Sequence, residues 1–185
     1  MEISNSSNKE IHALIIGDEI LSGKRTDKHL RYLIKILKDH NFQLSRADYV
    51  PDDTEKIQKT LESKMGKVVF CFGGIGATPD DCTRSAAALA HKKSLICHPE
   101  AKALIENQFG KNAYPKRILM AELPKGALLL PNTINNIPGF FIDQHYFMPG
   151  FPEMAWPMID WIIKNEFSKT EKAKKFEDHS IWLDD

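Results

Sequence analysis

The spacing of apolar residues changes several times along the chain, and each change predicts a new strand or helix. The apolar run IHALIIG, residues 11–17, predicts a buried strand. Leucine and isoleucine then recur at helical spacing over residues 30–37, with Thr26 or Asp27 as the helix cap. The alternating stretch 42–50 predicts a second strand. The chain therefore opens as strand, loop, helix and strand.

The next segment repeats this order. Residues 51–66 predict a second helix, which Gly66 ends. Asp52 and Glu55 have the spacing of a capping box at its start. The nearly continuous apolar run KVVFCFGG, residues 67–74, predicts a central strand that is covered on both faces. Strands that alternate with helices imply right-handed crossovers, so the predicted fold class is α/β with a mostly parallel sheet.

The second half of the chain predicts three more helices and three short strands. One helix is expected in the alanine-rich stretch 79–93, another begins at Pro99, and a closing helix at 152–167 carries Pro157 in its first turns. The strand-like runs are residues 126–132, 138–143 and 145–150.

Composition and charge restrict the class of protein. The 185 residues, 42% of them hydrophobic, suffice for one packed domain, which we place at residues 11–167 between a flexible N-terminus (1–10) and a charged tail or truncated extension (168–185). Lysine and arginine number 25, as do aspartate and glutamate, and this zero net charge favours neither nucleic acid nor a membrane as a partner. The apolar runs are too short to cross a bilayer and the start lacks a signal peptide, which predicts a cytoplasmic protein. Three cysteines without CxxC spacing and seven scattered histidines indicate neither a disulfide framework nor a zinc site.

The loop after the first strand, IIGDEILSGKRT, nearly matches a phosphate-binding P-loop. Gly17 and Gly23 are separated by five residues instead of four, and Arg25 follows the lysine where serine or threonine is required. Asp18 and Glu19 would also place negative charge where a triphosphate has to lie. We therefore reject a P-loop at this position.

The strongest candidate site is the loop GGIGATPDDCT, from Gly73 to Thr83, which follows the predicted central strand and opens a helix. In open parallel sheets, ligands bind beyond the C-terminal ends of the strands. The glycines permit positive φ and a close approach of the backbone to an anion such as phosphate. The hydroxyl and carboxylate groups would position a reacting group or a divalent cation. The residues concerned are Gly73, Gly74, Gly76, Thr78, Asp80 and Asp81.

The same loop also has a purely structural interpretation. Thr78, Pro79 and Asp81 have the spacing of a helix cap, a first-turn proline and a capping-box acid, which would stabilise the helix start without any ligand. Cys82 is either a thiol of lowered pKa or a small packed residue. The loop does not match the GxGxxG fingerprint, which argues against a nicotinamide dehydrogenase.

Carboxylates follow the two preceding strands as well. Glu19 and Asp27 lie in the loop after the first strand, and Asp52 or Asp53 begins the helix after the second. Each has a structural interpretation, since acids near helix N-termini cap the helix or complement its dipole. If the strands are parallel, however, these carboxylates meet at one edge of the sheet, beside the glycine loop.

Several of these stretches together resemble one known family. The runs GDEILSGKRTDKH, VPDD, GGIGATPDDCTR, LLLPNTINNIPGF and MPGFPEMAWPM are similar, in order and spacing, to those of the molybdopterin-binding domain family. The likeness extends from about Ile11 to Ile163. Within the family, the chain resembles stand-alone bacterial proteins similar to the N-terminal domain of competence/damage-inducible protein A, and more distantly molybdopterin adenylyltransferases and gephyrin-type G domains.

The resemblance implies a three-layer αβα sandwich that binds a phosphorylated pterin or a related nucleotide at the glycine loop. It implies Asp81 as a catalytic acid and metal ligand and Asp52 as a second catalytic acid. Molybdopterin is then the ligand, Mg²⁺ the cofactor, and a homo-oligomer the expected assembly. The implied binding residues are Glu19, Asp27, Gly73, Gly74, Gly76, Thr78, Asp80, Thr83, Gly139 and Gly150, the last two of these glycines on loops that line the cleft.

Catalysis and binding alone both remain open from the sequence. The adenylyltransferases transfer a nucleotidyl group, whereas the competence-type relatives are associated with hydrolysis of ADP-ribose and similar pyrophosphates. Ile75 stands where the adenylyltransferases usually have threonine, and Ala77 where many relatives have proline. These departures motivate the alternative of a ligand-sensing or assembly domain without turnover.

Overall fold

The computed structural model describes residues 10–167, so the expected charged tail and almost all of the expected flexible N-terminus lie outside the described residues. Besides its regular helices and strands, the chain has short 3-10 segments at Gly110–Ala113 and Arg117–Ala121 and a π-helical turn at Ile163–Phe167. In chain order the elements are β1 (Ile11–Ile16), α1 (Asp18–Leu21), α2 (His29–Asp39), β2 (Leu44–Val50), α3 (Thr54–Glu62), β3 (Val68–Phe72), α4 (Thr83–Ala90), β4 (Leu95–Cys97), α5 (Pro99–Phe109), β5 (Glu122–Pro124), β6 (Leu128–Leu130), β7 (Gly139–Ile142), β8 (His145–Met148) and α6 (Pro152–Ile162).

The main sheet has six strands in the order β2-β1-β3-β8-β7-β6. The pairs β2–β1, β1–β3 and β3–β8 are parallel, and within this sheet only β7 runs against its neighbours. Because β1 lies between β2 and β3, the chain leaves β1 on one side and later crosses to the other. Open α/β sheets bind ligands at such a reversal of strand order.

Helices cover both faces of this sheet. Side chains of a strand alternate between the two faces, so Leu14 and Ile16 of β1 join one core while Ala13 and Ile15 join the other. The first core contains buried residues of α3, α4 and α5, and the second contains those of α2 and α6. All of β3 is buried, as a strand covered on both faces must be. The fold is therefore the expected three-layer αβα sandwich with a mostly parallel sheet.

Asp27 is the residue that caps α2. Its carboxylate accepts hydrogen bonds from the amides of His29 at 2.8 Å and Leu30 at 3.3 Å. The alternative between Thr26 and Asp27 is resolved in favour of Asp27.

Asp53, and not Asp52, caps α3. The Asp53 side chain accepts a hydrogen bond from the amide of Lys56 at 2.9 Å. The predicted capping box of Asp52 and Glu55 is therefore wrong. The Asp52 carboxylate instead accepts a hydrogen bond from the amide of Asp18, at 3.0 Å, in the loop after β1.

Helix α4 begins later than predicted. Residues 78–81 form a turn in which the amide of Asp81 donates to the carbonyl of Thr78 at 3.0 Å, and the helix starts only at Thr83. The predicted cap at Thr78 and first-turn position of Pro79 are wrong, because this turn does not continue as a helix; the Asp81 carboxylate nevertheless accepts from the Thr78 amide, as a capping-box acid does.

The remaining elements show one omission and one agreement. The sequence pattern does not predict the small antiparallel sheet of β4 and β5. Helix α5 does begin at Pro99, as predicted. In the part of the chain that the structure describes, every helix is too short or too polar to cross a membrane.

Candidate functional site

A cavity of about 400 Å³ lies at the C-terminal edge of the sheet, where the loops after β1 and β3 meet. It is lined by Glu19 after β1, by Asp52 after β2, by most of loop 73–81 after β3 and by Gly150 after β8. These loops converge because the four strands that precede them are parallel neighbours. The carboxylates that follow successive strands are thereby brought together.

The glycine loop depends on two of its glycines for its shape. Gly73 has a φ of 104° and Gly74 a φ of 68°, both in the left-handed region that favours glycine. A side chain on Gly73 would collide with the backbone carbonyl of Ile16, and one on Gly74 would collide with the hydroxyl of Thr83. The loop is therefore held directly against the end of β1 and the start of α4.

Asp81 closes the glycine loop on itself. One of its carboxylate oxygens accepts from the amide of Gly76 at 2.9 Å, and the other accepts from the amide of Thr78 at 2.8 Å and from the Thr78 hydroxyl. The buried Arg84 guanidinium donates to the carbonyls of Ile75 and Gly76. Side chains of the protein thus set the direction of the loop's peptide groups.

Three amides of the loop have no acceptor within residues 10–167. They are the N–H groups of Gly74, Ile75 and Ala77, all of which line the cavity. Backbone N–H groups that converge on a concave surface form a binding site for an anion. Within the described residues, three loop amides therefore stay available to an external acceptor, while Asp81 occupies two others.

The cavity wall carries four carboxylates and one guanidinium. Burial raises the pKa of Asp52, and the carboxylates of Asp18, Glu19 and Asp80 raise it further. The pKa of Asp80 is lowered, chiefly by the nearby Thr78 hydroxyl and then by its own amide. The wall is acidic.

Arg25 is the cation of this wall, and sequence reasoning did not identify it as a site residue. Its guanidinium lies 3.7 Å from the Glu19 carboxylate and 5.6 Å from the centre of the Phe151 ring. The residue follows Lys24, and nothing in the local pattern distinguishes the side chain that turns toward the cavity. Only the contact with Phe151, which is distant in sequence, identifies it.

The acidic wall is not a complete metal site by itself. Within residues 10–167, no three His, Cys, Asp or Glu side chains are arranged so that they could hold a metal ion together. Mg²⁺ keeps several waters and is commonly bound through one or two carboxylates plus substrate phosphates. The residues present therefore fit magnesium only if one or two carboxylates and the phosphate of a ligand bind it together.

Two predicted binding residues lie on the cavity wall or directly behind it. Gly150 lines the cavity, and its carbonyl accepts from Nε2 of His29 at 3.2 Å. Thr83 is fully buried behind Gly74, and its hydroxyl has no hydrogen-bond partner within the described residues. Thr83 therefore packs against Gly74 on the side of the loop that faces the protein interior.

Two other predicted binding residues lie elsewhere. Asp27 lines a neighbouring cavity of about 240 Å³, where it also accepts from the hydroxyl of Tyr49 at 2.9 Å. The expectation for Gly139 requires a correction, because this residue lies within strand β7 and does not line the cavity. A side chain at this position would meet the carbonyl of Phe147 and the sulfur of Met158, so packing explains this glycine.

Cys82 packs against the first core next to the glycine loop. Burial raises the pKa of its thiol. The interpretation as a thiol of lowered pKa is therefore wrong, and Cys82 is a packed residue at the N-terminal boundary of α4.

The chain as a whole is similar to known proteins. The family described as probable molybdopterin binding domain matches residues 12–169. The chain belongs to the molybdopterin-binding domain family. As a member of it, the chain is 34% identical over 167 residues to a CinA-like protein of Citrifermentans bemidjiense, a match that covers 85% of this chain and 40% of that protein. A CinA-like protein of Syntrophotalea carbinolica is 30% identical over 158 residues, with 80% and 38% covered. The chain thus spans about two fifths of the length of these CinA-like relatives.

Solved structures of the family share the fold. CinA of Thermoplasma acidophilum, described as of unknown function, superimposes with a TM-score of 0.78 at 24% identity over 85% of this chain and 98% of that one. The molybdopterin biosynthesis enzyme MoaB of Thermus thermophilus superimposes with a TM-score of 0.53 at 18% identity over 84% and 90%. At these identities the likeness establishes the fold of the molybdopterin-binding domain.

Proposed function

We propose that this domain binds the phosphate of a phosphorylated pterin, such as molybdopterin, or of a related nucleotide, at the loop from Gly73 to Asp81. The observation that carries the proposal is the coincidence of three amides without an acceptor in residues 10–167 and a cavity of about 400 Å³ at the reversal of strand order. Membership of the molybdopterin-binding family supports a pterin as the ligand. The cavity volume lies in the range of small-molecule sites.

Charge on the cavity wall supports a requirement for Mg²⁺. A phosphate at the loop would face Glu19, Asp52, Asp80 and Asp81, against the one guanidinium of Arg25. Like charges within one cavity repel strongly where water is partly excluded, so a divalent cation would have to accompany the phosphate. Magnesium bound there would offset negative charge on a phosphoryl group and orient it.

Asp52 and Asp80 are the carboxylates that we assign to holding the cation. Asp52 accepts a single hydrogen bond from a backbone amide, and Asp80 is exposed on the cavity wall. Asp81, which the resemblance implies as metal ligand, accepts three hydrogen bonds from Gly76 and Thr78, and we assign it to positioning the loop. We divide the roles in this way because both Asp81 oxygens already accept hydrogen bonds within the loop, whereas Asp52 accepts one.

The test is the Asp52→Asn variant compared with Asp53→Asn. Both changes remove one carboxylate charge, but Asp53 caps α3 and does not line the cavity, and asparagine caps helices equally well. We expect Asp52→Asn to weaken the binding of inorganic pyrophosphate, ADP and 6-hydroxymethylpterin phosphate by at least about tenfold when Mg²⁺ is present, since a charge-assisted contact is lost. Calorimetry measures the three affinities. Equal affinities in the two variants would disprove the assignment of Asp52.

A second candidate function is binding without turnover. It is motivated by Ile75 and Ala77, which depart from the residues of the adenylyltransferases and of many other relatives at these positions. Cleavage of ADP-ribose, or transfer of a nucleotidyl group from ATP to the pterin phosphate, with Mg²⁺ present, would support an enzyme. Binding without either reaction would support a ligand-sensing domain.

A further inference from the structure

A second cavity, of about 240 Å³, lies beside the first one. The two cavities share the side chains of Ile16, Glu19, Arg25 and Phe151 and the backbone of Gly150 as a common wall. The second cavity extends from that wall to the N-terminus of α2 and contains the ring of His29 in its lining. The shared wall makes the two spaces neighbouring parts of one cleft.

We propose that the second cavity receives the uncharged, hydrogen-bond-donating part of the ligand, and that Nδ1 of His29 accepts its hydrogen bond. The inference rests on the proposed function, because it assumes that the phosphate of the same ligand lies at the glycine loop. The donor is either a sugar hydroxyl of a nucleotide or a ring N–H of a pterin. Both sources share the same chemistry, a neutral donor next to a flat apolar body.

The hydrogen bond of His29 to Gly150 determines which ring nitrogen carries the proton. Nε2 lies 3.2 Å from the carbonyl of Gly150, and a carbonyl only accepts, so Nε2 must be the N–H donor. Burial lowers the pKa of His29, which keeps the ring neutral near pH 7. Nδ1 is then a lone-pair acceptor.

This acceptor has no partner within residues 10–167. His29 is 5% exposed, and Nδ1 is buried without a hydrogen bond. The neighbouring carboxylate of Asp27 cannot donate, and its oxygens already accept from two backbone amides and from Tyr49. Buried acceptors are normally satisfied, so an unsatisfied one in a residue that lines a cavity points to a donor supplied by a ligand.

The surroundings of His29 suit a flat, uncharged group. The imidazole stacks on Phe72 with ring centres 4.6 Å apart and planes inclined by 16°. Ile15, Ile20 and Pro152 add apolar surface to the same cavity. Glu19, Arg25, Asp27 and Lys28 also line this cavity. Apolar and aromatic surface with a few well-placed polar groups is typical of sites that orient a planar heterocycle or a nucleoside.

The two cavities are adjacent because Gly150, which lines both, lies against the glycine loop. A side chain on Gly150 would come within 3.5 Å of Cα of Gly73, so the backbones are nearly in contact. The Gly150 carbonyl in turn holds His29. A phosphate on the amide of Gly74 is therefore separated from the second cavity only by the shared wall.

The experiment compares His29→Gln with His29→Asn. Glutamine places an amide N–H near the position of Nε2 and keeps the bond to Gly150, whereas asparagine places an amide oxygen near the position of Nδ1. Calorimetry with Mg²⁺ is carried out with ADP, with 6-hydroxymethylpterin phosphate and with inorganic pyrophosphate, which has no organic part. We expect His29→Gln to weaken the binding of ADP or of the pterin phosphate by about 3- to 10-fold, the loss of one neutral hydrogen bond. Pyrophosphate should bind as it does to wild type, and His29→Asn should recover part of the affinity.

The outcomes separate this inference from the proposed function. A loss with ADP alone identifies a sugar hydroxyl as the donor, and a loss with the pterin phosphate alone identifies a ring N–H. If His29→Gln binds all three ligands as wild type does, the inference is overturned and the phosphate site stands. If wild type binds none of them, the proposed function fails and the inference with it. If the variants do not fold, long-range ¹H–¹⁵N spectra of wild type decide, since the Nδ1 resonance of His29 must shift upfield on ligand binding and an unchanged resonance overturns the inference.

Discussion

Gly74 is the residue on which the shape of the candidate phosphate loop depends most directly. It combines a left-handed φ of 68° with the buried hydroxyl of Thr83 at the place where a side chain would begin. Strain and collision are separate penalties, and both act on the segment that carries the free amides. A methyl group at this position should therefore affect stability and binding together.

Gly74→Ala should lower the free energy of unfolding by roughly 1–3 kcal/mol and abolish detectable pyrophosphate binding. The matched control is Gly126→Ala, since Gly126 also has a positive φ, 90°, but has open space around the added methyl group. Urea denaturation and calorimetry measure the two effects. A Gly74→Ala protein that binds pyrophosphate as tightly as Gly126→Ala would show that the loop does not hold the anion.

Neighbouring residues of the same type show what the sequence could not determine. Asp52 and Asp53 are indistinguishable as cap candidates, and only the packing of α3 decides that Asp53 caps the helix while Asp52 turns to the cavity. Asp81 has the spacing of a capping-box acid and does accept from the amide of Thr78, but no helix begins there, and its other oxygen accepts from Gly76 in the glycine loop. Local patterns identify the residue types, whereas tertiary contacts choose their partners.

Among the elements, those with a long periodic pattern were predictable. β1, β3 and α5 have apolar runs, periodicity or terminal signals that depend on residues nearby in sequence. β4 and β5 are three residues each, and they pair Leu95 with Pro124 across a long stretch of chain. The candidate cavity was predictable to the extent that parallel strands fix one edge. Arg25 and His29 lie within the run GDEILSGKRTDKH, yet nothing in the local pattern marks them as cavity residues.

At the opposite end of the sheet, β8 and α4 are joined by a buried histidine pair. His145 is 1% exposed, its Nε2 donates to the carbonyl of Lys64 at 3.1 Å, and its Nδ1 accepts from Nε2 of His91 at 3.0 Å. Burial is the main reason that the pKa of His145 is lowered to about 4, with the Lys64 ammonium and His91 adding to it, while Asp143 and the bond to the Lys64 carbonyl oppose it. The neutral ring is thus part of the contact between these elements.

This arrangement predicts that acid destabilises the domain. The folded pKa of His145 lies below the ordinary value of 6.5, so the unfolded chain binds more protons between the two values. The contribution to stability is complete above the unfolded pKa and is lost as the pH falls. The loss amounts to about 2 kcal/mol near pH 5. Urea denaturation at about pH 5 and pH 7.5 should show a smaller difference for His145→Gln than for wild type. The exposed His40→Gln is the control, and an equal pH dependence in all three proteins would contradict the interpretation.

For the whole molecule, the distribution of charge matters more than its sum. The chain has no formal net charge, yet the wall of the main cavity carries four carboxylates against one guanidinium. A cation without phosphate finds no set of three ligating side chains among the described residues, and a phosphate without a cation meets excess negative charge. Each should therefore bind weakly alone and strengthen the binding of the other.

This coupling predicts how the melting temperature responds to ligands. A ligand that binds only the folded state at a hundred times its Kd stabilises it by about 2.7 kcal/mol, which for a domain of this size raises Tm by roughly 5–10 °C. We expect such a rise with pyrophosphate and Mg²⁺ together, and a rise of less than about 2 °C with either one alone. Thermal unfolding with each component, with both, and with both plus EDTA measures the effect. A full rise with pyrophosphate in EDTA would mean that the amides hold the phosphate without a cation, and a full rise with Mg²⁺ alone would mean that the carboxylates form a metal site by themselves.

Because binding free energies are reciprocal, the same coupling must appear as a tighter Mg²⁺ affinity at saturating pyrophosphate. The two experiments must give the same factor if the cation and the phosphate share one site.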